Sequence, residues 1–76
     1  MTVAAKAPNG SPIVVILTTV IFAANGTAFA GSPRYMAMEK CVMMEWRKDH
    51  THIWFLGWET DVMEAPDAIL NMAPVN

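Results

Sequence analysis

Seventy-six residues with one cysteine and a net charge of −2 make one small domain at most. They exclude a self-contained enzyme, a disulfide-stapled scaffold and an electrostatic binder of nucleic acid. A chain of this size buries only about 60% of its unfolded surface, which leaves it near the limit of independent stability. The unpaired Cys41 fits a reducing compartment, so a cytoplasmic location is expected. An apolar fraction of 54% argues against disorder, and seven methionines with three tryptophans supply adaptable apolar surface that wants a partner. Apart from Lys6, every charged side chain lies between Arg34 and Asp67.

In chain order, Asn9-Gly10 is a hairpin signal, because both central residues of a type I′ turn need positive φ. The run Ile13 to Phe22 is dominated by β-branched residues and reads as a buried strand. Asn25-Gly26-Thr27 ends it, and Gly31-Ser32-Pro33 marks a loop. From Met36 to Trp46 the pattern suits a short helix. Thr51 caps a second helix running from His52 to about Met63, with Trp54 and Trp58 on one face. A third helical turn follows Pro66, over Asp67 to Met72. The expected class is therefore α+β, a short hairpin followed by two or three short helices and marginally stable alone.

The apolar run has two rival readings. Lys6, Ile13 to Ala24 and Ala28-Phe29-Ala30 form the charged, apolar and cleavage regions of an export signal, with Gly31 as the mature terminus. A membrane span needs about 20 apolar residues, and this run is shorter, with Thr18 and Thr19 inside it.

The stretch Gly31-Ser32-Pro33-Arg34-Tyr35-Met36-Ala37-Met38-Glu39 resembles the end of the activation segment of Ser/Thr protein kinases, G-[TS]-x-x-Y-M-A-P-E, at six of seven specified positions. Thirteen residues beyond Glu39, His52-Ile53-Trp54-Phe55-Leu56-Gly57 resembles the D-[IV]-W-S-x-G start of a large-lobe helix in that family. Upstream, Leu17-Thr18-Thr19-Val20-Ile21-Phe22-Ala23 resembles L-T-D-F-G-F-A. The resemblance implies a kinase large-lobe fragment in three parts: a hairpin and apolar strand over 1–24, an activation-segment-like loop over 25–39, and helices over 40–72.

In that family Gly31, Ser32, Pro33, Arg34 and Tyr35 correspond to the loop that receives the substrate's acceptor site. Glu39, Trp54 and Gly57 correspond to structural positions, and Thr27 lies near the usual activating phosphorylation. The family's activity is ATP-dependent phosphorylation with Mg²⁺, but the residues that carry it have no counterpart here. Thr19 stands at the metal-binding Asp and His52 at the Asp that braces the catalytic loop. Met38 replaces the proline before the next helix. A neutral hydroxyl cannot replace a carboxylate on a hard dication. The expectation is a catalytically inactive kinase-like chain with no catalytic residue, metal or cofactor. Its partner is the remainder of such a domain or another protein, and nucleic acid is not expected. An exported or membrane-associated peptide and a Trp/Met-rich interaction module are the alternatives.

Three constellations remain. His50-Thr51-His52 beside Asp49 puts two imidazoles on one face if the segment is a strand, but no further ligand stands at useful spacing, so surface polar residues are expected. Cys41 with either histidine lacks an orienting third group. Glu59, Asp61, Glu64 and Asp67 read as the solvated face of a helix, and Trp46, Trp54 and Trp58 as core or contact residues.

Overall fold

The computed structural model describes residues 13–75, so the hairpin expected at Asn9-Gly10 lies outside the described residues. Five strands dominate: β1 (Val14–Phe22), β2 (Ala28–Ala37), β3 (Cys41–Arg47), β4 (His50–Phe55) and β5 (Trp58–Val62). A 3₁₀ turn, Met38–Lys40, joins β2 to β3, and one helix, α1 (Pro66–Leu70), follows β5. The strands form one antiparallel sheet in the order β2-β1-β5-β4-β3. This corrects the α+β expectation: the protein is a small β-rich fold, not a hairpin followed by two or three helices, and not the helical lobe that the kinase resemblance implies. The helices expected over Met36 to Trp46 and His52 to Met63 are strands, and only the last helical turn is found.

The β-branched run does form a strand, and it has two neighbours, β2 and β5. Asn25-Gly26 makes the turn out of it. Gly26 takes φ 87°, its N–H donates to the Ala23 carbonyl, and the Asn25 side chain accepts from the Thr27 N–H at 3.0 Å. Gly31-Ser32-Pro33, expected as a loop, lies inside β2. There the register moves from Thr18↔Pro33 to Val20↔Ala30, so Gly31 and Ser32 together oppose Thr19 as a β-bulge. The Thr19 hydroxyl donates to the Ser32 carbonyl at 2.7 Å. A Cβ on Gly31 would stand 3.0 Å from the Thr19 hydroxyl and 3.1 Å from the Thr19 carbonyl oxygen, so a side chain here would press β1 and β2 apart by a few tenths of an ångström. Pro33 is tolerated because β2 is an edge strand.

The second half is a three-strand meander with tight connections. Gly57 takes φ 91° between β4 and β5. Between β3 and β4 the Asp49 N–H donates to the Arg47 carbonyl across Lys48, which takes φ 65°, a γ-turn centred on a side chain that does not favour it. Along β4, Thr51, Ile53 and Phe55 face the core, while His50, His52 and Trp54 face the other way. The core contains Val15 and Leu17 of β1, Met36 of β2, Met38, Ile53, Phe55, Val62 and, from α1, Ile69. Pro66 supplies a fixed φ at the start of α1, and the helix places Ile69 over the sheet.

Two substitutions test these backbone constraints by urea unfolding. Lys48→Gly removes the positive-φ penalty and is expected to stabilise the chain by about 0.5–1 kcal/mol. Gly31→Ala is expected to destabilise it by about 1–3 kcal/mol, because the bulge must open to admit the methyl group.

Candidate functional site

The period-two geometry of β4 puts His50 and His52 side by side on the face away from the core. The register with β5 sets Asp61 opposite His52 and Glu59 opposite Trp54. The result is a chain of alternating carboxylates and imidazoles. His50 Nδ1 lies 2.7 Å from Asp49 Oδ1, and His50 Nε2 lies 3.3 Å from Asp61 Oδ1. His52 Nδ1 lies 2.7 Å from the same Asp61 oxygen, and His52 Nε2 lies 3.2 Å from Glu59 Oε1. Both rings are buried, with exposures of 8% and 7%, so the expectation of surface histidines is corrected. Phe22 meets His50 edge-on at 5.0 Å between ring centroids, and Trp54 meets His52 at 4.4 Å.

All four ring nitrogens face carboxylates. A neutral imidazole donates from one nitrogen only, so donation at every contact needs both rings doubly protonated. The expected helical acidic face is likewise corrected. Glu59 and Asp61 belong to β5, and the Glu64 carboxylate accepts from the Thr18 N–H at 3.0 and 3.1 Å and from the Thr18 hydroxyl at 2.9 Å. Among the described residues no group of His, Cys, Asp and Glu is arranged to hold a metal ion. Cys41 lies opposite Phe55, at the far end of the ladder from His50. Burial pushes its thiol up from the ordinary range, against a thiolate nucleophile. The His50 hydrogen bond, followed by the Ala28 N–H, lowers the Asp49 carboxyl below its ordinary value.

A second feature is the outer edge of the meander. The sheet ends in β2 on one side and β3 on the other. The bulge and Pro33 interrupt β2, devices that discourage pairing. Strand β3 carries an irregularity between Cys41 and Met43, but from Met43 to Arg47 its register is unbroken and no described strand pairs with its outer side. Val42, Met43 and Trp46 are exposed along it. Trp46 is thus not a core residue. Trp54 is half-buried beneath the Arg47 guanidinium at 5.4 Å, and Trp58 stacks on Phe55 at 4.3 Å.

The residues singled out by the kinase resemblance do not converge. Gly31, Ser32, Pro33, Arg34 and Tyr35 are paired in β2, with Arg34 opposite Leu17 and Tyr35 opposite Ile16, and present no loop. Glu39 sits in the 3₁₀ turn, Trp54 in β4 and Gly57 in the β4–β5 turn. Thr27 is exposed at the β1–β2 turn. Ala28-Phe29-Ala30 begins β2, and the Ala28 N–H donates to Asp49 Oδ2 at 3.1 Å. No helix among the described residues is long and apolar enough to cross a membrane. Comparison with protein-family models, with curated proteins and with solved structures finds no match.

Two variants probe the imidazole chain. Asp61→Asn removes the charge of the acceptor shared by both rings and is expected to cost about 1–3 kcal/mol of unfolding free energy. The Asp49 carboxyl has its ordinary value near 3.8 in the unfolded chain and a lower one when folded. Its contribution is therefore present above that value and lost as the pH falls through the lower, folded one. Thermal unfolding midpoints should drop on acidification below about pH 4, and Asp49→Asn should flatten that drop.

Proposed function

We propose that this chain is a small non-catalytic interaction module that takes an extended protein segment as an added strand on the outer edge of β3. The observation that carries the reading is the unbroken stretch Met43–Arg47, whose outer side no described strand pairs, with Val42, Met43 and Trp46 exposed beside it. A free strand edge offers a row of backbone donors and acceptors, and exposed side chains on either face supply specificity. Trp and Met are the residue types enriched where proteins meet. The imidazole–carboxylate chain on β4 and β5 supports the edge from behind. It fixes the strand on which β3 lies, and its ring nitrogens are occupied by carboxylates, with no vacant ligand position.

Selection of extended peptides from a displayed library against the folded chain tests the proposal. Selected peptides should bind the wild type and lose tenfold or more in affinity against Trp46→Ser. Peptides insensitive to Trp46→Ser but weakened by changes elsewhere on the sheet would place the binding surface outside β3 and overturn the reading.

A further inference from the structure

Resting on the reading of β3 as a pairing edge, we infer that its partner is a second copy of this chain, the two β3 strands meeting antiparallel about a twofold axis through Trp46. The argument is one of register and charge. In a continuous sheet with twofold symmetry, a residue faces a partner residue on the same side of the pleat, so the axis must pass through a residue position. Within the unbroken stretch Met43–Arg47 the possible centres are few. A centre on Glu45 opposes two carboxylates directly, which is unfavourable. A centre on Met43 or Met44 carries the ladder into the irregularity between Cys41 and Met43 and places no opposite charges beside the axis, and a centre on Arg47 opposes two guanidinium groups directly. A centre on Trp46 sets each Glu45 opposite the other copy's Arg47, giving two reciprocal ion pairs, and brings the two exposed indoles together on the axis.

Within one chain Glu45 and Arg47 already form an exposed ion pair at 2.5 Å on one side of the strand. The same two side chains are therefore positioned on the face where the symmetric partner would meet them. Strand β2 does not offer the same opportunity, because its bulge and Pro33 break the row of donors. The paired stretch is short, so the association is weak and dependent on concentration.

The test combines sedimentation velocity over a wide concentration range with hydrogen exchange of the outer β3 amides, those that point away from β4. The expected result is a reversible dimer, with outer β3 amides that become protected as concentration rises. Glu45→Arg sets arginine against arginine twice and should weaken dimerisation roughly tenfold or more. Adding Arg47→Glu to the same chain restores complementarity and should bring the affinity back to within about threefold of wild type. Trp46→Cys in a Cys41→Ser background should oxidise to a covalent dimer. Paired Cα atoms lie within disulfide reach in this register, whereas a centre on Met44 would hold the two thiols too far apart.

A chain that stays monomeric with freely exchanging outer β3 amides overturns the second-copy inference and leaves strand capture intact. A monomer whose outer β3 amides are protected at every concentration overturns both. A dimer indifferent to Glu45→Arg and to the cross-link uses another surface and overturns the inference.

Discussion

Two antiparallel ribbons, β1–β2 and β3–β4–β5, meet along a seam that is much narrower than either. The strands themselves touch in register only at Thr19↔Val62. What widens the seam is Glu64. Its carboxylate receives both the N–H and the hydroxyl of Thr18, and its carbonyl receives the hydroxyl of the fully buried Thr51 at 2.6 Å, while the Met63 N–H donates to the Thr18 carbonyl. One residue thus ties β1, β4 and the exit of β5 together. Neither ribbon has a complete apolar cover of its own, and isolated ribbons are marginal in water. The seam brings Val15 and Leu17 onto Ile53 and Val62, and α1 then adds Ile69.

The imidazole–carboxylate chain adds its own constraint on register to the one the apolar core imposes. Sliding β5 by one residue against β4 would turn Asp61 and Glu59 toward the core and Val62 toward solvent. It would also leave two buried imidazoles facing a threonine and a tryptophan in place of carboxylates. Removing charged partners from buried polar groups is costly, so the network reinforces the pairing that the burial of Val62 already favours. Asp49 extends the constraint to the other ribbon, since its second carboxylate oxygen accepts from Ala28 at the start of β2.

Part of this fold was legible in the sequence, and the rest was hidden for identifiable reasons. The β-branched run of β1, the turn at Asn25-Gly26 and the helical turn after Pro66 carry strong local signals, and each is found. The meander was missed. Met43, Met44, Glu45 and Arg47 in β3 favour a helix, and sheet pairing supplies the energy that their propensity does not. The turn at Lys48-Asp49 uses a positive φ on lysine, which no sequence pattern advertises. A period-two signal was nonetheless present in Trp58-Glu59-Thr60-Asp61-Val62, and Gly57 before it marked a tight turn. The resemblance to a kinase segment drew Gly31 to Glu39 and His52 to Gly57 toward another architecture. The same glycine and proline that suggested a loop serve here to bulge an edge strand. The pairing of His50 and His52 on one face was foreseeable, but their carboxylate partners were not once Glu59 and Asp61 had been assigned to a helix.

The separation of 46 residues between Thr18 and Glu64 has a kinetic meaning during translation. Strand β1 is synthesised well before β5, so its second neighbour reaches it only after β2, β3 and β4 have been made. At about 5–20 residues per second of synthesis, the interval between Thr18 and Glu64 leaves the apolar, uncharged strand β1 without this partner for roughly 2–9 s before the seam is able to close. Closing so long a loop also slows the final step relative to the local hairpins. During that interval the β1–β2 ribbon is the segment a chaperone would find.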